Sequence, residues 1–260
     1  MTSYGPENLF VKALILPEPH EYEALAASVS AAEKIQPVRR RTSISGEPSA
    51  QVNAGSLTSF VQGVTGLQKA DVMNSTLLAQ LSANKAYDRF KDPMNWYKYY
   101  TNVLENVGWN IPGFAFDTYT SGGSTIELDT AVLGILTAIA TAGEIALIAA
   151  TMKSLKSLSD GSKPLNIWDA NASSGNNGNF QIFPVANVND TPVMLMCGMQ
   201  FNAKTSHDRF LWFTWFSTNI NVQRAANKFE LNNNVYSRVR QQIIDKLGDR
   251  ASTFVADLDI

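Results

Sequence analysis

Two histidines, one cysteine and a scatter of acids are the side chains here with the most chemistry to offer. His207 stands beside Asp208, and a neighbouring carboxylate can orient an imidazole as a base. A serine would still have to be brought up by the fold, because adjacent side chains on an extended chain point apart. The pair therefore reads as hairpin-loop chemistry before it reads as part of a triad. His20 follows Pro19 at a helix start, where a capping or solvated role suffices. Cys197, in "VMLMCGMQF", is alone, which excludes an internal disulfide and any multi-cysteine metal site. Its apolar neighbours make it a buried thiol rather than a nucleophile. Asp117, Glu127, Asp169 and Asp190 fall near expected strand ends, but glycoside hydrolysis needs two carboxylates facing across a cleft, and no spacing pairs these.

The sequence contains no phosphate loop ending in Gly-Lys-Ser/Thr, dinucleotide fingerprint, nucleophile elbow or zincin helix. "SGG" from Ser121 and "SGNNG" from Ser174 are turn chemistry. The reading leans away from an enzyme and calls for no cofactor and no metal. A net charge of -2 gives no bulk attraction to nucleic acid, so none is expected as a partner. Arg238, Arg240 and Lys246 read as the solvated face of a helix. The first residues, "MTSYGPENLF", lack a basic segment followed by an apolar one, so the expectation is cytoplasmic synthesis without a signal peptide. Release by lysis or by a non-classical route is compatible with it.

What remains is a set of segments rather than a site. "RRR" (Arg39, Arg40, Arg41) lies in an aperiodic Pro-, Gly- and Ser-containing stretch and is a candidate processing point, or a basic site that directs phosphorylation of a nearby Ser or Thr, beside the plain reading of a basic turn. Trp212 and Trp215 sit in "RFLWFTWF", where they are candidates to meet a ligand, against the reading that they are core. The longest apolar run is "AVLGILTAIATAGEIALIAATMKSL", Ala131 to Leu155. One helix over Asp129–Leu158 is about 45 Å long at about 1.5 Å per residue. On it Thr130, Thr137, Glu144 and Thr151 recur every seventh position and form a narrow polar stripe. A buried Glu144 argues against a constitutive span and for a core helix with a polar slot, or for a helix given up to a membrane on demand.

The elements that hold these segments are legible in outline. Residues 1–56 read as an N-terminal extension of a short strand (Leu9–Leu16), a helix from Pro19 and a flexible linker, and residues 57–260 as a single α+β domain. Within it, residues 57–66 can be helical, Lys69–Phe90 is a helix, and Asp92-Pro93 opens another that stops at Gly108. "PLNIW" and "FQIFPV" are strand candidates. "TPVMLMCGMQFNA" and "RFLWFTWFSTNINVQ" are strands joined by a hairpin loop, the second apolar on both faces and therefore central. A helix capped near Asn232–Asn234 ends at Gly248, and "STFVADLDI" is a last strand. The fold class is α+β, with a largely antiparallel sheet in the C-terminal half covered by helices, among them a long apolar central helix. Helices wrapped round an antiparallel sheet resemble cytolytic toxins of the Cyt type in layer architecture, with no motif matched and no residue carried over. The functional expectation is a soluble, non-enzymatic protein with conditional membrane engagement, a toxin-like pore former among its readings, partnered by a lipid membrane, another protein or further copies of itself. The alternative is a carbohydrate- or protein-binding module without membrane activity.

Overall fold

The structure, a computed structural model, describes residues 5–35, 46–204 and 214–260. Helix α1 (Pro6–Ala13), a 3-10 turn (Pro19–Tyr22) and α2 (Glu23–Ile35) precede a hairpin of β1 (Ser49–Asn53) and β2 (Ser56–Phe60). Helices α3 (Gly66–Ala86) and α4 (Pro93–Asn106) follow, then the short strands β3 (Trp109–Asn110), β4 (Asp117–Thr118) and β5 (Thr125–Glu127). Helices α5 (Leu128–Thr137), α6 (Ala142–Ser157) and α7 (Lys163–Ala172) lead through β6 (Ser173–Ser174) into the long strands β7 (Asn177–Val188) and β8 (Thr191–Ala203). Then come β9 (Thr214–Phe216), β10 (Ile220–Leu231), α8 (Asn233–Leu247), α9 (Arg250–Phe254) and β11 (Val255–Leu258).

Among the described residues nine strands form one sheet, in the order β11-β1-β2-β7-β8-β10-β3, with β4 added on β10 and β6 on β7. The sheet is mixed, because β2 and β7 run parallel, and it draws on residues from Ser49 to Leu258. The expected largely antiparallel sheet of the C-terminal half is corrected to a mixed sheet that also takes in the early strands β1 and β2. The early hairpin β1–β2 slots between β11 and β7, and a strand delivered from so far away in sequence need not run antiparallel to its neighbour. Of residues 57–66, Leu57 to Phe60 enter the sheet as β2 instead of forming a helix, with Leu57 and Phe60 pointing to opposite apolar layers, and the rest is a turn leading into α3. Conversely Leu9–Leu16 is largely helix α1, with Pro6 in its first turn and Glu7 beside it, and "PLNIW" is helix α7, with Pro164 in its first turn. Strands β7 and β8 turn through Asn189 and Asp190, both at positive φ, which matches the twist of a two-residue hairpin.

Helices cover both faces of the sheet. On one face α3, α4 and α8 pack on Phe60, Phe183, Val185, Met194, Met196 and Phe229. On the other α5, α6 and α7 pack on Leu57, Phe180, Ile182, Cys197, Met199 and Phe201. Strand β8 alternates between the two layers, as a strand covered on both sides must.

No long apolar central helix exists among the described residues. The run from Ala131 to Leu155 is two helices, α5 and α6, broken at Ala138–Thr141. The helix buried on nearly every side is α3, of whose 21 residues 14 are buried, including Gln68, Asp71, Ser75, Thr76 and Gln80. Its polarity has a cause. The β1–β2 turn, Ala54–Gly55, lies inside the molecule, and buried backbone groups need partners. Gln80 supplies two, accepting from Gly55 N at 3.0 Å and donating to Asn53 O at 2.9 Å. Asn53 in turn donates to Met73 O and Thr76 Oγ1.

Candidate functional site: the α5–α6 hairpin

Strand β5 pairs with β9 and delivers the chain into α5, whose apolar side (Leu128, Val132, Ile135 and Leu136) is buried on the sheet. The helix ends at Thr137, and the chain straightens at Thr141, which takes φ -75° and ψ 160°. There a capping box starts α6. Glu144 N donates to Thr141 Oγ1 at 3.3 Å, while Glu144 Oε2 accepts from Thr141 N at 2.7 Å and from Thr141 Oγ1 at 2.8 Å. Glu144 is therefore not the middle of a polar stripe. The carboxylate of this buried residue, only 8% exposed as a whole, is the device that divides the run in two. The spacing Thr-x-x-Glu was present in the sequence and is the signal that locates the break. Thr130 and Thr137 belong to α5 and are cut off from it, whereas Thr151 follows two turns on in α6 and is buried on the same side. Thr137 and Thr151 donate back to Leu133 O and Leu147 O within their own helices, and Thr130 to Glu127.

Helix α6 buries Ile148, Met152 and Leu155 and lies on β7 and β2, while α5 lies on β8. The outward side of the pair is Gly134, Thr137, Ala138, Ile139, Ala142, Gly143, Ala146 and Ala150, all exposed. Between Asp129 and Lys153 the only ionisable side chain is Glu144. This outer face is thus apolar, shallow and uncharged, where an ordinary surface helix carries charge on its water side. Among the described residues no helix is long and apolar enough to cross a membrane.

The remaining candidates fall in several places. Trp215 is buried under the β5–β9 ribbon, its ring 6.2 Å from Phe201, and serves the core. Arg39, Arg40, Arg41, Trp212, His207 and Asp208 lie outside the described residues. Cys197 is buried in β8, and burial pushes its thiol up to about 12, far from a nucleophile's range. Asp117 is on β4, Glu127 on β5, Asp169 on α7 and Asp190 in the β7–β8 turn, so four elements carry four acids. Arg240 is not part of a solvated face. Its Nε and Nη2 each meet Asp71 of α3 at 2.7 Å, tying α8 to α3. A groove of ≈ 830 Å³ opens between the starts of α3 and α7 and holds Lys69, Lys163, Glu33 and Asp257. Its charges are committed: Lys163 to Glu33 and Ser252 O, Asp257 to Gln51, and Lys69 to Glu47 O and Ser49.

No family model matches the chain, and no curated protein matches it. Among solved structures it is similar to a delta-endotoxin, at a TM-score of 0.41 and 12% identity, over 69% of this chain and 81% of that one. It is also similar to the Evf virulence factor, at a TM-score of 0.36 and 12% identity, over 85% of this chain and 89% of that one. These are weak likenesses of overall architecture to toxin and virulence-factor structures.

Proposed function

We propose that the chain is a toxin-like, lipid-surface-binding protein that meets a bilayer through the outer face of the α5–α6 hairpin. The observation that supports this reading is the uncharged exposed surface from Thr130 to Met152, interrupted only by a carboxylate already held in a cap. Length decides the mode. Helix α5, of 10 residues, and α6, of 16, reach about 15 Å and about 24 Å, short of a hydrocarbon core about 30 Å thick. The hairpin therefore lies in the interface rather than crossing it. Lifting it off the sheet would uncover Leu128, Val132, Ile135, Leu136, Ile148, Met152 and Leu155, at roughly 1.5–3 kcal/mol each. Lipid tails return that energy only if those side chains reach them, so contact through the already exposed face comes first.

Flotation with vesicles of zwitterionic and of anionic lipid tests the reading. The wild-type chain is expected to float with vesicles. Ala146→Glu combined with Ala150→Glu is expected to reduce the bound fraction roughly tenfold, since two carboxylates are placed in the interface. A wild-type chain that stays at the bottom of the gradient with every composition would sink the proposal, and so would a double variant that floats equally well.

A further inference from the structure

The outward stripe of α6 changes character along its length. At about 100° per residue, Ala142, Ala146, Ala150, Lys153 and Ser157 fall within a band about 80° wide. All five are exposed. The band is apolar up to Ala150 and basic beyond it, with Lys156, also exposed, at its edge. At the other end the α5–α6 turn leaves Ile139 39% exposed. The hairpin thus has an apolar tip and a cationic base, Ala146 and Lys153 standing about 10 Å apart along the helix.

The two ammoniums are uncommitted. Lys85, Lys91, Lys163 and Lys228 spend theirs on carboxylates. Lys153 and Lys156, like Lys12 and Lys98 on the opposite layer, make no ion pair or side-chain hydrogen bond among the described residues. The acids of the same region lie off the outward stripe. Asp129 accepts from Thr130 N, Glu127 accepts from the hydroxyls of Thr130 and Thr214, and Asp160 follows in the turn beyond α6. A lysine in a last turn complements the helix dipole, which accounts for Lys156 alone. Lys153 comes earlier and continues the line of the exposed alanines.

At a lipid surface this order has a use. Lysine stems lie along apolar surface while their ammoniums stay at headgroup level. Each cation beside an anionic leaflet strengthens binding roughly fivefold. The chain as a whole carries a charge of -2, so attraction to such a leaflet has to come from a local group. We propose that Lys153 and Lys156 direct the α5–α6 face to bilayers rich in anionic phospholipid, holding the headgroup phosphates while Ile139, Ala142 and Ala146 meet the acyl boundary. This rests on the lipid-surface reading above and adds to it the class of lipid and the end of the hairpin that reads it.

Flotation of the whole chain with vesicles of phosphatidylcholine alone, and of phosphatidylcholine mixed with phosphatidylglycerol, tests it. The wild type is expected to bind the mixed vesicles roughly thirtyfold more tightly. That margin is expected to vanish between about 0.1 M and about 1 M salt, as the Debye length falls from about 10 Å to about 3 Å. Lys153→Gln combined with Lys156→Gln keeps helix propensity, and is expected to lose the margin while binding phosphatidylcholine as before. Lys12→Gln combined with Lys98→Gln removes the same charge from the opposite layer and is expected to keep it. Equal binding of the wild type to both vesicles overturns this proposal and leaves the lipid-surface reading standing, whereas binding to neither overturns both. A preference that survives the loss of Lys153 and Lys156, or is lost equally with Lys12 and Lys98, also overturns it, because the attraction then lies elsewhere or in net charge alone.

Discussion

Helix α3 and the α5–α6 hairpin invert the usual relation between polarity and depth. Helix α3 carries Gln, Asn, Ser, Thr, Lys and Asp, yet lies between the sheet, α4 and α8. The α5–α6 hairpin is almost purely Ala, Leu, Ile, Val, Gly and Thr, yet leaves one side in solvent. Burial follows partners rather than hydropathy alone. The inner helix is polar because a hairpin turn, Trp109 and Arg240 need its groups, as in the 3.0 Å bond from Trp109 Nε1 to Ser75 Oγ and the bonds from Arg240 to Asp71. The outer hairpin is apolar although half of it has nothing to cover, and that surplus is what a second surface can use.

The largest expected effect is the pH dependence of stability, carried mainly by the α3 side and in part by Cys197 beneath α5–α7. Tyr97, Tyr100 and Tyr236, on α4 and α8, are pushed far above the ordinary tyrosine range, and Cys197 up to about 12, in each case first by burial. These groups are neutral when protonated, so the folded state keeps protons that the unfolded chain releases. Their contribution is fully present below the unfolded values, about 9 for the thiol and 10 for the phenols, and is lost as pH rises above them. Arg89 acts with opposite sign. Its folded pKa of about 10 lies below its usual 12.5, so between those values it adds stability as pH rises. The lowered ammoniums of Lys69 and Lys246 act in the same sense as Arg89 and offset part of the loss, so stability is expected to fall as pH rises above about pH 10. Urea-unfolding midpoints between pH 9 and 11.5 check this. A flat profile would show that these groups titrate alike in the folded and unfolded chain, and would break the contrast between a closed α3 side and an outer hairpin open to solvent.

A smaller but sharper effect is expected at Gln80. Gln80→Leu keeps the volume roughly constant and raises hydropathy, so a hydropathy argument predicts a gain. The hydrogen bonds predict a loss of roughly 1–3 kcal/mol, because Gly55 N is left buried without its partner and Asn53 O loses one of its bonds. Chemical denaturation settles the sign. A more stable variant would mean that the inner helix is polar for no energetic reason.

Much of this architecture is legible in the residues, and what is not has identifiable physics behind it. Helices α3, α4 and α8 are bounded by local signals: Pro93 in the first turn of α4, Gly108 at φ +112° beyond its end, and the Asn232 side chain accepting from Asn234 N and Val235 N. Such signals are read one turn at a time. The parallel pairing of β2 with β7 joins Ser56 to Gln181, a contact set by the whole topology that leaves no local trace. The polarity of α3 is equally opaque, because the turn it serves is far along the chain. Arg89 escaped notice for the same reason, since nothing in "YDRF" says that its guanidinium points inward. The break in the apolar run is different. It was written locally, in Thr141-x-x-Glu144, and was obscured only because a seven-residue spacing of polar residues suggests a stripe on a single helix.

The smallest expected effect tests that break. If Glu144 acts as the N3 member of a capping box, Glu144→Gln preserves the box and changes stability by less than about 0.5 kcal/mol, whereas Glu144→Ala costs about 1 kcal/mol. If Glu144 were instead an isolated polar group on a continuous helix, alanine would be the better helix former and the order would reverse. Thermal unfolding of the two variants distinguishes these outcomes directly. Lipid flotation adds a second reading from the same proteins. Loss of the cap removes a bond that holds Thr141 extended and lets α5 and α6 rearrange, so Glu144→Ala is expected to float more readily than wild type while Glu144→Gln behaves like it. Equal flotation of all three would confine the role of Glu144 to starting α6 and leave the outer face alone responsible for meeting the bilayer.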